Sequence, residues 1–277
     1  MAIITLTTDF GEKDHFAGAV KGAIYSEMPD AKIVDISHSI SPFNVPEAAY
    51  IILNAYRSFP KGTIHLIGID SELTPENNHI AVKLDDHYFI CANNGIMSMI
   101  CSEIAPEKIV EINIHNNIQT SFPVLDVFVK VACHIARGGT LEIIGKVINK
   151  IRPIKNLLPF VNDEQTQIIG SVIYIDNYGN VISNITRKFF DTYQKQRKYE
   201  VMARNTKFYT INNNYSDFID FEVPAKQRID LGNKMAVFNS SNYLEVSIYK
   251  GNTLDGSASS LFGLKMGDTI TINFIKD

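Results

Sequence analysis

The chain has no tryptophan, only three cysteines, no excess of positive charge and no apolar run of the roughly 20 residues that a bilayer demands. Each shortage removes a class of function. Cys91, Cys101 and Cys133 are odd in number, lie in apolar contexts and form no C-x-x-C pair. A disulfide framework and a thiolate zinc site are therefore not expected. Lys and Arg total 26 against 30 Asp and Glu, a net charge of −4 with both signs mixed along the chain. No basic stripe is available for a nucleic-acid backbone or an anionic membrane, so neither partner is expected. The seven histidines include no H-E-x-x-H and no i, i+4 pair, which argues against a metal site. The G-x-S-x-G elbow, the G-x-x-x-x-G-K-[ST] loop and the G-x-G-x-x-G fingerprint are also missing. Nothing at the start reads as a basic segment, an apolar run and a cleavage site, so a cytoplasmic location is expected.

What is present falls into two halves. In 277 residues, 45% of them apolar, there is enough material for two cores. The first half alternates strands and helices. The β-branched run Ile3 to Thr8 predicts a strand. Phe16, Ala19, Val20, Ala23 and Ile24 then predict a helix ending near Met28, with Asp14 as its N-cap. KIVDIS (Lys32 to Ser37) predicts a second strand, parallel to the first, and Pro46 to Tyr56 a second helix. TIHLIGID runs into Asp70. His79 to Leu84 and His87 to Cys91 read as a hairpin turning at Asp85-Asp86, and Asn93-Asn94-Gly95 opens a short helix. A strand over Lys108 to Ile114 and a helix over Phe122 to Ala136 follow.

From Arg152 to Gln167 the apolar periodicity lapses, which marks a join. Beyond it come short strands: Ile168 to Ile175, Val181 to Ile185, Tyr199 to Ala203, Phe208 to Ile211, Met235 to Phe238, Tyr243 to Ile248 and Thr269 to Phe274, with one helix near Arg187 to Lys195. The expected architecture is an α/β domain over residues 1–155 with a mostly parallel central sheet, and a small antiparallel β-barrel or sandwich over 156–277.

Three strands end on a carboxylate, Asp9, Asp70 and Asp176. In open α/β sheets the loops at strand carboxyl ends line the ligand crevice, where an acid can hold ribose hydroxyls or an ammonium. Aspartate also starts turns, and that ordinary role competes in each case. Asp176-Asn177-Tyr178-Gly179-Asn180 is rich in turn formers, yet it offers a carboxylate, a carboxamide suited to a purine edge and an aromatic face at one bend. His134, in an apolar helix, reads as a core histidine.

Taken in order, TTDFG, Asp14, VDISHSISP, the strand into Asp70, ANNG, IDNYGN, SSNYLEVSI and SLFGLKMGDTITI resemble the S-adenosylmethionine hydroxide adenosyltransferase family, which also contains S-adenosylmethionine-dependent fluorinases and chlorinases. The resemblance covers nearly the whole chain. It implies an N-terminal α/β domain and a C-terminal β-barrel, assembled as a homotrimer with ligand sites shared between neighbouring subunits. It also assigns Asp9 to the ribose hydroxyls, Asp14 to the methionine end of the ligand and Phe43 to the sugar. Asp176 is assigned to the methionine ammonium, Tyr178, Asn180 and Tyr215 to the adenine, and Ser240 to the carboxylate. No cofactor is implied beyond S-adenosylmethionine as substrate, with adenosine and methionine as products.

The departures bear on chemistry. Hydrolysing members carry an Asp, an Arg and a His that position and activate water for attack on the ribose C5′. The Asp is kept as Asp70. Asn77 stands where the Arg belongs, Pro123 where the His belongs, and Val124 offers no hydroxyl to receive a halide. The resemblance thus implies an adenosine-forming S-adenosylmethionine hydrolase with weakened turnover and Asp70 as its catalytic residue. The alternatives are a silent S-adenosylmethionine- or adenosine-binding protein and a transferase using another nucleophile. His79 and His115 are the histidines that could stand in, although neither occupies a matching position. Restoring Arg at 77 and His at 123 together is expected to raise the rate more than either alone.

Overall fold

The computed structural model describes residues 2–102, 104–114, 120–154, 158–228 and 230–275. The chain divides into two compact units, Met1–Lys155 and Asn156–Asp277. Strands of the first are β1 (Ile3–Thr8), β2 (Lys32–Ser37), β3 (Ile64–Gly68), β4 (His79–Leu84), β5 (His87–Ala92), β6 (Lys108–Ile112) and β7 (Gly145–Val147). Its helices are α1 (Phe16–Glu27), α2 (Val45–Ala55), α3 (Ile96–Ile100) and α4 (Val129–Ala136). The strands form one sheet in the order β2-β1-β3-β5-β4-β6-β7.

The sheet is parallel from β2 to β5 and antiparallel from β5 to β7, so it is less parallel than the sequence pattern predicts. The cause is local. Two residues join β4 to β5, and a connection that short can only produce an antiparallel pair. Asp85 (φ 52°) and Asp86 (φ 60°) supply both positive φ values of a type I′ turn without glycine. Lys61 and Lys83 meet the Asp86 carboxylate at 2.7 and 3.5 Å.

Helices cover both faces. Ile4, Leu6, Ile64, Leu66 and Ile90 pack with Val20 and Ile24 of α1 and with Val131 and Ile135 of α4. Ile67, Ile80, Val82 and Phe89 pack on the other face with Ala48 and Ile52 of α2 and Met97 of α3. Period-two alternation within each strand sends neighbours to opposite cores. Helix α2 begins at Asn44, whose Oδ1 accepts from Glu47 N while its Nδ2 donates to Glu47 Oε2. Helix α1 differs from expectation: its N-cap is His15, with no side-chain capping bond, and Asp14 lies exposed in the bend before it. The long helix expected from Phe122 is interrupted at its start. Val124–Phe128 is a π-helical turn headed by Pro123, and only Val129–Ala136 is α.

The second unit contains β8 (Phe160–Val161), β9 (Gln167–Ile175), β10 (Val181–Thr186), α5 (Arg187–Gln194), β11 (Tyr199–Ala203), β12 (Thr206–Phe208), β13 (Ile211–Asn212), β14 (Lys234–Phe238), β15 (Tyr243–Ile248), α6 (Ala258–Phe262) and β16 (Thr269–Phe274). Nine strands make a nearly barrel-shaped sheet along β12-β11-β16-β9-β10-β15-β14-β13, with β8 on β9. All its pairings are antiparallel except β13 with β14. Among the described residues β12 and β13 do not pair with each other, so the path stays open. The single strand expected over Phe208 to Ile211 is two: β12 turns back on β11, and β13 joins β14. Val172, Val181, Val201, Val246 and Ile272 are among the residues filling the interior.

Among the described residues no helix is long and apolar enough to cross a membrane. No group of three or more His, Cys, Asp or Glu among them is placed to hold a metal ion.

Candidate functional site

The candidate residues gather in two groups, one in each unit. In the first unit, β1 and β3 run parallel with Thr8 opposite Gly68, so Asp9 and Asp70 emerge at the same end of adjacent strands. Their charges interact. Burial pushes the Asp9 carboxyl up, the N–H of Phe43 opposes the rise, and the Asp70 charge adds to it. Phe43 N donates to Asp9 Oδ2 at 2.8 Å. That bond ties the exposed Phe43 ring beside the acid, and Phe43 itself sits at φ 61°, a conformation uncommon for an aromatic residue. Asp70 is exposed and likewise left-handed, at φ 43°. Two such positions, one bonded to Asp9 past the end of β1 and one past the end of β3, mark that end of the sheet as a place to look for function.

Behind Asp9 the loop is fastened to β2. Gly11 N donates to His38 O at 2.7 Å, and the Thr8 hydroxyl lies 2.7 Å from His38 Nδ1. His38 Nε2 is 3.1 Å from Asp35 Oδ1, and Lys21 Nζ bonds Asp35 Oδ2 at 2.5 Å. Phe10, Phe16 and Phe122 form an aromatic wall, with centroids 5.3 to 5.7 Å apart. A Cβ on Gly68 would stand 3.1 Å from both Phe10 and Val124, so the π-turn packs directly over the end of β3. Position 123 heads that turn, one residue before the Val124 contact with Gly68. It holds a buried proline, which has nothing to ionise.

The residue at 77 is also close, in a different role from a cation. Asn77 is 8% exposed and its Nδ2 donates to Asp70 O at 2.9 Å and Glu72 O at 3.0 Å. His79 is fully buried, with Nε2 2.9 Å from Ser71 O and its ring edge-on to Phe128 at 4.7 Å. His115 lies outside the described residues. Asp14 shares the bend between the Asp9 loop and α1, exposed and not engaged in capping.

In the second unit Asp176 ends β9. Its Oδ1 accepts from Tyr178 N (2.9 Å) and Asn180 N (2.8 Å), and its Oδ2 from Asn180 Nδ2 (2.9 Å). Asp176 and Asn180 are thus a turn-building pair as well as ligand candidates, while the Tyr178 ring is left 63% exposed. Gly179 at φ 76° is required here: a Cβ would fall 2.3 Å from Ser257 Oγ. Ser240 is exposed in the turn between β14 and β15.

Glu245, on β15, links the rest, and sequence reasoning missed it. It is 2% exposed. Tyr215 OH and Ser247 Oγ donate to its Oε1 at 2.8 and 2.5 Å, and Asn239 Nδ2 to its Oε2 at 3.2 Å. Burial raises its carboxyl above the usual range against those three donors, and the Asp176 charge raises it further. The available signal was an acid two residues before a serine inside an apolar strand, which puts both on one face.

Comparison with known proteins gives a consistent result. Residues 4–145 match the family model for the SAM hydroxide adenosyltransferase N-terminal domain, and 170–271 match that for the C-terminal domain. An (R)-S-adenosyl-L-methionine hydrolase of Methanocaldococcus jannaschii is 29% identical over 98% of this chain and 95% of its own. A fluorinase of Nocardia brasiliensis is 25% identical over 67% of this chain and 71% of its own. The crystal structure of an uncharacterized conserved protein from Thermotoga maritima superposes with a TM-score of 0.81 at 27% identity, covering 99% of this chain and all of that one.

Proposed function

Because this chain belongs to the SAM hydroxide adenosyltransferase family, we propose that it hydrolyses S-adenosyl-L-methionine to adenosine and L-methionine. The observation that carries the reading is the pair of interacting carboxylates, Asp9 and Asp70, at the ends of neighbouring strands. Two acids in one place favour a ligand that brings positive charge, and the sulfonium does so. In the reaction a C5′–O bond forms as the C5′–S bond breaks, its electron pair passing to sulfur to leave a neutral thioether. The water gives up its proton to solvent, leaving adenosine as the neutral alcohol. Asp70 is the group proposed to orient that water, and only the substrate and water are needed.

Asp9 would accept from the ribose hydroxyls, with Phe43 covering the sugar and Asp14 toward the methionine end. Asp176 would take the ammonium, Ser240 the carboxylate, and Tyr178, Asn180 and Tyr215 the adenine. Each group would supply one half of a pocket that a homotrimer would complete by bringing neighbouring subunits together. Light scattering that gives a stable monomer at micromolar concentration would remove that part of the proposal.

Chromatographic assay of adenosine release from S-adenosylmethionine, with an Asp70→Asn control, tests the activity. Release that Asp70→Asn leaves unchanged would exclude Asp70. One specific observation favours a second reading: the neighbours at positions 77 and 123 are a hydrogen-bonded Asn and a buried Pro. A binder without turnover would bind nucleoside in a calorimeter and release no adenosine.

A further inference from the structure

Four consecutive carbonyl groups at the end of β3 each accept a hydrogen bond from a side chain. Asn94 Nδ2 reaches Ile69 O at 2.9 Å, Asn77 Nδ2 reaches Asp70 O at 2.9 Å and Glu72 O at 3.0 Å, and His79 Nε2 reaches Ser71 O at 2.9 Å. These donors come from three places: the loop before α3, the far end of the 69–78 loop itself and the first residue of β4. Because every acceptor is a carbonyl, both amides must present nitrogen, and His79 must carry its proton on Nε2. Asn94 is itself fixed, since its Oδ1 accepts from Ile96 N at 3.2 Å. Asn77 is held at its backbone by the reciprocal pairing of Thr74 and Asn77, 3.3 and 3.1 Å. In their midst Asp70 holds φ 43°. A left-handed non-glycine residue persists when its surroundings over-determine it, and here they do.

We infer that Asn77, His79 and Asn94 are positioning residues that staple the 69–72 backbone and thereby aim the Asp70 carboxylate at the reacting centre. The inference rests on the proposed role of Asp70. It gives Asn77 a function other than that of a lost cation, and it gives buried His79 a task that involves no proton transfer. Preorganisation of this kind acts on turnover more than on substrate affinity, because a misplaced catalytic group spoils the transition state while the rest of the pocket still binds.

The test compares His79→Leu, which removes the donor and keeps an apolar side chain against Phe128, with His79→Gln, whose amide nitrogen can occupy the place of Nε2. Asn94→Asp, isosteric and still able to accept from Ile96 N, is the second probe should His79→Leu fold poorly. Hydrolysis of S-adenosylmethionine should show kcat lower by about 10- to 100-fold in His79→Leu and Asn94→Asp with KM changed less than about threefold. His79→Gln should stay within about threefold of the parent. Amide exchange at Thr74 and Asn77 should quicken in the first two variants and not in the third. Parental exchange and kcat in both donor-deleting variants would overturn the inference. So would a His79→Gln enzyme as slow as His79→Leu with a limb missing from its pH profile, since His79 would then be moving a proton. If Asp70→Asn proves fully active, the role of Asp70 fails, and the exchange measurement still decides whether the staple exists.

Discussion

Replacing Asn77 by arginine reinstates the family residue in name, and the structure predicts that it will not reinstate the function. Asn77 occupies a site 8% exposed and sized for a carboxamide, with two carbonyl oxygens at 2.9 and 3.0 Å from one nitrogen. Losing two neutral hydrogen bonds costs about 2 kcal/mol at roughly 1 kcal/mol each. An arginine cannot seat its longer stem in the same space, so its guanidinium will run out to solvent, as long cationic side chains do. A loss of about 2 kcal/mol corresponds to a fall of roughly 4 to 8 °C in the unfolding midpoint for a unit of this size. Release of adenosine should stay at or below the parental rate. Adding Pro123→His should not change that outcome, because Pro123 is buried at the head of a π-turn. This reverses the expectation drawn from the sequence, that the two substitutions together restore turnover. Thermal unfolding and the chromatographic assay on the single and double variants decide it. A tenfold faster Asn77→Arg enzyme of parental stability would refute the argument.

The buried pair His65 and His87, 3.2 Å apart and with His65 2.7 Å from the Thr5 hydroxyl, predicts acid sensitivity. Burial, then the charge of His87, depresses His65 from 6.5 to about 3, so the unfolded chain takes up a proton first. Its contribution is complete above pH 6.5 and is lost progressively as pH falls toward 3, by about 2 kcal/mol at pH 5 relative to pH 8. Urea titrations of parent and His65→Gln at both pH values should show a pH dependence smaller in the variant by about that amount. A variant that keeps the same pH dependence would clear His65. Asp9→Asn should weaken nucleoside binding in a calorimeter by about 1 to 3 kcal/mol, the worth of a charged acceptor; unchanged affinity would remove Asp9 from the site. Glu245→Gln should weaken S-adenosylmethionine more than adenosine, because in the proposed placement only the former directs an ammonium toward Asp176 and Glu245. Equal losses for both ligands would make Glu245 a support for Tyr215 and nothing more.

Much of the fold could be read in advance where side-chain chemistry is local. The β-branched runs of β1, β2 and β3 declare themselves, and so does Pro46 at the start of α2. The π-turn at Val124–Phe128 was not legible, since Val124, Phe128, Val131 and Ile135 fit α spacing equally well and one extra residue in a turn leaves no compositional mark. The split between β12 and β13 was hidden for a related reason. Arg204 at φ 51° turns β12 back on β11, and the break itself falls at Tyr209–Thr210, residues that do not advertise it. The candidate site divides the same way. Asp9, Asp70 and Asp176 could be found because strand ends are visible in sequence. Glu245 meets Tyr215 30 residues away, the donors around Asp70 act through partners 5 to 25 residues away, and the sequence does not say which of these side chains meet.

The two departures and the retained acid fit one another once the movement of charge is followed. Before attack the positive charge sits on sulfur, and a carboxylate beside the sulfonium stabilises the substrate more than the transition state, which helps binding and not rate. As a neutral water closes on C5′, positive charge passes from sulfur to the incoming oxygen, and a carboxylate beside that oxygen then stabilises the transition state. In its proposed role Asp70 can therefore accelerate the reaction only from the side of the water. A cation near the same point would serve an anionic nucleophile, hydroxide or halide, and would hinder a neutral one. A chain with asparagine at 77 and proline at 123 is thus suited to water itself. Its rate should be flat from about pH 7 to pH 9, above the titration range of ordinary carboxylates, and chloride or fluoride should yield no halogenated nucleoside. A rate that climbs tenfold for each pH unit across that interval would show hydroxide to be the nucleophile and would return the search to a cation that Asn77 does not provide.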